Sequence, residues 1–322
     1  TINVKFFFEG EEESGSAHLP QILAANKDLL TADAWLFCDG PTHQSREMQV
    51  AFGARGAMGL ELTVYGPAKA LHSGHYGNWA PNPAMRLAQL LATMKDADGR
   101  VLIEGFYDDV APLGAAEREA IAAIPNLDAQ LRERYGIAQP DGGGQRLDEL
   151  IHLPSLNVRG LESAWVGDGA RTIVPATATA AIDVRLVKGT DHEPMFQKIV
   201  AHIRQQGYHV VEHAPTEAER GMHARIARVV KWEGYNAVRT PLDLPVARVV
   251  AKAVERATGA TVVRLPILGG SGPSHLFEGL AIPVIGVPIV NFDNNQHSPN
   301  ENLRLGHFWR GIELFAALML AE

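Results

Sequence analysis

Apolar and polar positions change period several times along the chain, and these changes divide it into three stretches. Residues 1–8, Thr-Ile-Asn-Val-Lys-Phe-Phe-Phe, are dense in β-branched and aromatic side chains and predict a strand. A polar, acidic turn over residues 9–16 follows, then a helix over 19–30. Ala34-Trp35-Leu36-Phe37-Cys38 predicts a second buried strand, stopped by Asp39-Gly40-Pro41. Strand, helix and strand with polar residues at the strand ends is the rhythm of an α/β sheet.

Near residue 56 the pattern changes. Residues 58–65 alternate like a half-exposed strand, and residues 71–83 form a loop rich in Gly, Asn and Pro. The helix that begins there carries Leu87, Leu90, Leu91 and Met94 on one face. Residues 96–160 are less regular, with short helices at 115–124 and 127–135 and a Gly142-Gly143-Gly144 linker. Strands at 177–186 and 226–232 bracket an amphipathic helix at 194–206. In the last stretch Thr240-Pro241-Leu242-Asp243 predicts a helix start, because Pro suits the first turn and a carboxylate favours the helix N-terminus. Val246, Val249, Val250, Ala253, Val254 and Ala257 keep helical spacing, and Gly259 stands where a left-handed cap belongs. Strands at 261–265 and 283–290 and a closing helix at 303–320 complete the pattern. The expected organisation is an α/β domain at 1–56, interrupted by an α+β unit at 57–239 and resumed at 240–322.

The 322 residues are 46% apolar with a net charge of −8, ordinary for a globular protein and without the basic balance that phosphate binding requires. Neither a nucleic-acid nor a membrane partner is expected, since no apolar run is long enough to span a bilayer, and the expected location is cytoplasmic. The single cysteine, Cys38, cannot form an internal disulfide and is expected as a small buried apolar group. With no initiator Met and no lead-in before an apolar strand, the chain is expected to be a fragment or a processed product.

Candidate chemistry lies at the predicted strand ends. Glu9-Gly10-Glu11-Glu12-Glu13 places four carboxylates in five positions. They form either a solvated acidic turn or a site where cations offset the repulsion. In extended chain, neighbours point to opposite sides, so one carboxylate could ligate a metal while the next serves as general base. Asp39 ends the second strand and is either a turn cap or a ligand. His297, in the loop after the strand at 283–290, is either a surface histidine or a ligand. Carboxylates with imidazole suit zinc or manganese. Gly269-Gly270-Ser271-Gly272-Pro273 lacks the final Gly of a nucleophile elbow, and neither a P-loop nor a dinucleotide fingerprint is present.

Several ordered motifs then fit one family: Glu9-Gly10-x-Glu12-Glu13-Ser14-Gly15-Ser16, Phe52-Gly53-x-Arg55-Gly56, Leu71-His72-Ser73-Gly74-x-Tyr76-Gly77, Pro154-Ser155-Leu156, Gly167-x-Gly169-Ala170-x-Thr172-x-x-Pro175 and His297-Ser298-x-Asn300-Glu301. The chain resembles metallopeptidase family twenty, which includes carnosinases, nonspecific dipeptidases, aminoacylases and succinyl-diaminopimelate desuccinylases. It is most similar to the carnosinase and cytosolic nonspecific dipeptidase branch. The resemblance implies a phosphorylase/hydrolase-like zinc-peptidase domain interrupted by a lid and dimerisation domain. It implies two divalent metal ions, a dipeptide or N-acyl amino acid substrate, and a homodimer. Glu12 matches the general base. Glu13 and His297 match ligands of one metal, and Asp39 a ligand of the other. His72 matches a lid residue that stabilises the oxyanion in the partner's site, and Thr172 another lid residue near that site. Arg185 matches the residue that holds the substrate carboxylate, with Gly270 and Ser271 beside it. The family's His-x-Asp motif and bridging Asp, which lie upstream of the Glu pair, have no counterpart here. The catalytic domain is therefore expected to be incomplete at its N-terminus, and this chain by itself weakly metallated and inactive. An amidohydrolase acting on N-acyl amino acids and a non-catalytic dimeric fragment are the alternatives.

Overall fold

The computed structural model describes residues 2–270 and 272–321. Thirteen strands are assigned among them: β1 (Trp35–Phe37), β2 (Gln49–Ala51), β3 (Gly53–Ala54), β4 (Gly56–Tyr65), β5 (Leu71–His72), β6 (Ser155–Glu162), β7 (Ile173–Val174), β8 (Thr177–Leu186), β9 (His209–Val211), β10 (Ile226–Tyr235), β11 (Val238–Arg239), β12 (Val263–Leu265) and β13 (Val284–Gly286). The fold is mixed α/β with two main sheets. One is four-stranded, ordered β1-β13-β2-β12, and draws on both ends of the chain. The other is five-stranded, ordered β6-β8-β4-β10-β9, and lies between them in sequence.

In the first sheet β1 pairs parallel with β13, and β2 parallel with β12. Its core joins Val50, Phe52, Ile285 and Val287 to the inner faces of helices Pro245–Thr258 and Leu305–Met319. The first of these helices starts at Pro245, with Leu244 at its N-cap, later than the start expected at residues 240–243. Thr240 is used otherwise. It is buried, its amide donates to the Phe52 carbonyl at 2.6 Å, and its hydroxyl donates to the Val284 carbonyl at 2.8 Å, so it ties strands together. Gly259 closes this helix at φ 65°, as its position predicted.

The five-stranded sheet is antiparallel except for β9 against β10. Met58, Leu60, Leu62, Ile182, Val184 and Leu186 face helices Pro83–Met94 and His192–Gln205, giving one core on that side of the sheet. Asn82 caps the first of these helices by accepting from the amides of Ala84 and Met85. The chain crosses between the sheets at Gly53, where an added Cβ would lie 2.2 Å from the Val238 carbonyl oxygen, so only glycine lets β3 and β11 approach.

Three further expectations are corrected. Within the predicted strand at 1–8, the described residues join no sheet. Phe6 and Phe8 are exposed, and only Phe7 packs inward, against Trp35 and Phe277. β-branched and aromatic composition favours a strand but does not by itself supply a pairing partner. The helix expected at 19–30 breaks at Asn26 into Leu19–Ala25 and Lys27–Leu30, because the Asn26 side chain donates to the Ile22 carbonyl. Cys38 is exposed rather than buried, because β1 ends one residue before it.

Candidate active site

The acidic stretch does not run extended. Glu12–Ser14 form one turn of 3-10 helix, closed by Gly15 at φ 86° whose amide donates to the Glu12 carbonyl. Side chains therefore diverge by about a third of a turn, rather than pointing to opposite sides. Glu11 turns away to His18 Nδ1 at 2.8 Å, and that bond lowers its pKa. Glu13 turns toward the far end of the chain, where its Oε2 lies 3.2 Å from His297 Nε2. Both side chains are open to solvent.

Glu12 lies between these and is half-buried. Burial raises its carboxyl pKa, and the charges of Glu13, Asp39 and Glu9 push the same way while His297 partly offsets them. Four carboxylates and one imidazole thus share a neighbourhood. Asp39 enters it just beyond β1, its Oδ1 accepting from the Gly40 amide at 2.6 Å.

His297 sits in a constrained loop. Asn295, His297 and Asn300 adopt φ of 59°, 59° and 66°, in the left-handed region that side chains disfavour. Asparagines hold this loop, and the sequence motifs do not include most of them. Asn302 donates from its amide to the Asn294 carbonyl at 2.8 Å, and Asn294 Oδ1 accepts from the Gln296 amide at 3.1 Å. Asn291 donates to Asp293 and to Asn302 Oδ1. The signal was available: asparagine tolerates left-handed backbone and bonds its own main chain, and the segment from 291 to 302 holds five of them.

A metal fits this place in the kind of donor. Carboxylate oxygens and an imidazole nitrogen suit zinc or manganese, and the buried Glu9 Oε2 meets no hydrogen-bond donor. It falls short in number. Among the described residues no three of His, Cys, Asp and Glu are grouped closely enough to hold an ion.

Arg185 and the lid histidine lie elsewhere in the fold. Arg185, on β8, is half-buried, and its Nε donates to Asp183 Oδ2 at 3.1 Å. It pairs with Ser155 and Ala57 on the flanking strands. Arg55, buried beside it, donates to the Leu153 carbonyl at 2.6 Å and to Ser155 Oγ at 3.2 Å, and burial together with the Arg185 charge pulls its pKa down to about 10. Ala57 pairs in turn with Tyr235, whose ring stacks on His275 at 4.2 Å. His275 Nδ1 donates to the Gly272 carbonyl at 3.1 Å, which anchors the Gly270 loop at this edge of the sheet. Gly270 is exposed, and Ser271 lies outside the described residues.

His72 ends β5, pairs with Ile173 on β7 and is exposed. Its Nδ1 accepts from the Gly74 amide at 3.1 Å. A backbone amide can only donate, so the ring proton sits on Nε2. Thr172 is adjacent, its carbonyl accepting from the Ser73 amide at 3.1 Å. The sequence-predicted residues thus gather in three places: Glu12, Glu13, Asp39 and His297 in one, Arg185 in a second near the Gly270 loop, and His72 with Thr172 in a third.

The chain is similar to known proteins along nearly its whole length. Residues 52–211 match the peptidase dimerisation domain of the M20 family. The chain is 30% identical, over 98% of its length, to the Cys-Gly metallodipeptidase dug1 of Schizosaccharomyces pombe, and spans 65% of that protein. It is 24% identical over 99% of its length to the Beta-Ala-His dipeptidase of Mus musculus, spanning 64% of it. An M20 family metallo-carboxypeptidase from Sulfolobus solfataricus superposes with a TM-score of 0.81 at 27% identity, over 97% of this chain and 68% of that one. The chain carries an M20 peptidase dimerisation domain and is similar along nearly its whole length to metallodipeptidases, of whose length it spans about two thirds.

Proposed function

We propose that the protein hydrolyses the peptide bond of dipeptides with a free C-terminal carboxylate, with Glu12 as general base at a centre for two divalent ions, zinc or manganese. The contact of Glu13 with His297 beside Glu12 carries this reading, because it joins the two ends of the chain at one group of donors. Relatives that are dipeptidases by name support it.

Glu13 and His297 are the proposed ligands of one ion and Asp39 a ligand of the other. Ions held there would supply the Lewis acidity that makes water a nucleophile near neutral pH. Glu12 takes the proton of the attacking water and passes it to the leaving amine. His72 Nε2–H, supplied by the lid of a second copy in a homodimer, donates to the carbonyl oxygen as charge develops there. Thr172 accompanies it. Arg185 grips the substrate carboxylate with parallel N–H bonds, aided by Gly270 and Ser271. In this assignment residues 1–56 and 240–322 form the catalytic unit, and residues 57–239 the lid. A catalytic zinc commonly takes about three protein ligands, so three donors in all leave this chain, by itself, weakly metallated and inactive.

A substrate panel on the full-length enzyme tests the reading. Free-amine dipeptides are expected to be cleaved faster than N-acyl amino acids, and Glu12→Gln to abolish turnover while metal binding persists. Preferential cleavage of N-acyl amino acids would assign the protein to the amidohydrolases instead. Full activity in Glu12→Gln would remove the base.

A further inference from the structure

The face of the five-stranded sheet that carries Arg185 also carries a tryptophan that neither the motifs nor the proposed mechanism uses. Side chains alternate along a strand. Ala57 and Gly59 on β4 therefore share a face with Arg185 and Asp183 on β8, while Met58 and Val184 point into the core on the other side. Gly59 pairs directly with Asp183, the residue that Arg185 Nε bonds. The Arg185 guanidinium is thereby drawn back along its strand toward the level of Gly59.

Opposite Gly59, β10 has a bulge. Lys231 pairs with Leu60 and Gly234 with Met58, so Trp232 and Glu233 together face one residue. A bulge re-aims side chains and is favoured beside functional sites. Here it lays the Trp232 ring into space that Gly59 leaves open. A Cβ at residue 59 would stand 2.4 Å from Trp232 Cε3. A second irregularity, between Val158 and Gly160 on β6, frees Arg159 to reach across, with its guanidinium carbon 4.4 Å from the centre of the Trp232 ring. That cation–π contact holds the ring in place. Trp232 nevertheless keeps 37% of its surface exposed. Two departures from regular pairing and one glycine thus fix a partly open aromatic wall about one strand spacing from the Arg185–Asp183 pair.

We propose that Trp232 is a specificity-determining residue. It packs against the side chain of the substrate residue whose carboxylate Arg185 holds, and so favours dipeptides ending in an apolar or aromatic residue. This inference rests on the assignment of Arg185 to the carboxylate. Rigid aromatic area beside a charged anchor is how such pockets combine orientation with selectivity.

The test compares Gly-Phe and Gly-Leu with Gly-Gly on the full-length enzyme, as the ratio of kcat/KM values, and as Kd by isothermal titration calorimetry with the same peptides. Trp232→Ala is expected to lower the Phe-to-Gly ratio about tenfold, the usual scale for an apolar subsite contact. Gly59→Ala keeps the ring and displaces it, and is expected to lower the ratio in the same direction. It also guards against a Trp232→Ala protein that does not fold. An unmoved ratio in both variants, or an equal loss for Gly-Gly and Gly-Phe, would overturn the proposal. Arg185→Met separates this from the underlying assignment, and dipeptides are expected to lose their advantage over their C-terminal amides. If Arg185→Met keeps that advantage, the carboxylate assignment and this inference fall together. If it loses the advantage while the Trp232→Ala ratio stays put, only this inference falls.

Discussion

Glu13 and His297 touch across the whole length of the chain, Oε2 to Nε2 at 3.2 Å, with Glu12 beside them under the combined pressure of burial and three neighbouring carboxylates. The contact joins the 3-10 turn that carries Glu12 to the left-handed loop that carries His297, and in the proposed assignment one cation would bind there.

The first prediction concerns those two side chains. Glu13→Ala and His297→Ala are each expected to lower the affinity of the full-length protein for zinc or manganese by at least tenfold, read by isothermal titration calorimetry. Both side chains are exposed, so the melting temperature of the metal-free protein is expected to move little. Unchanged affinity in both variants would remove them as ligands.

Glu12→Gln keeps the size and hydrogen-bonding reach of the side chain and removes its basicity. A general base typically contributes 10²–10⁴-fold. A loss of that order in kcat is expected, with KM for a dipeptide nearly constant.

His72 bears its proton on Nε2 because the Gly74 amide occupies Nδ1. A donor that acts only as charge develops changes kcat more than KM. His72→Ala is expected to cost about 10²–10³-fold in kcat. Mixing this variant with Glu12→Gln is expected to recover activity if the lid of one copy serves the site of another. No recovery in verified mixed dimers would place His72 in its own subunit's site or outside the reaction.

Stability should fall on mild acidification. Burial depresses the pKa of His43, His152 and His202. His202 Nε2 donates to the Thr93 hydroxyl, which itself donates to the Leu90 carbonyl, and it is burial that disfavours the charged ring. The unfolded chain binds these protons near pH 6.5 while the folded chain does not. Unfolding free energy is therefore greatest above about pH 6.5 and declines as pH drops below it. Urea unfolding at pH 7.5 and 5.5 measures this, and His202→Gln is expected to flatten part of the slope.

Much of the fold was legible along the chain. β8 runs over the residues predicted for it, Thr177–Leu186, since a ten-residue alternation with one wholly buried face admits one register. Gly259 ends its helix as its position implied, because left-handed backbone penalises any side chain. The motifs around Glu12, His72 and His297 carried the resemblance to M20 peptidases for the same reason: each is local and lies in nearly consecutive residues.

What the sequence determined by itself was everything set by neighbours along the backbone: periodicity, caps, the residue types capable of ligating or transferring protons, and the family they imply. The tertiary structure alone decided whatever depends on partners distant in sequence. It left residues 2–8 outside the sheets, placed Thr240 between strands instead of at a helix start, and seated Trp232 on Gly59. Whether a segment pairs with a strand, or a ring finds a gap to enter, has no local signal. The outcome there follows from hydrogen bonds and volume supplied by residues far away in the chain.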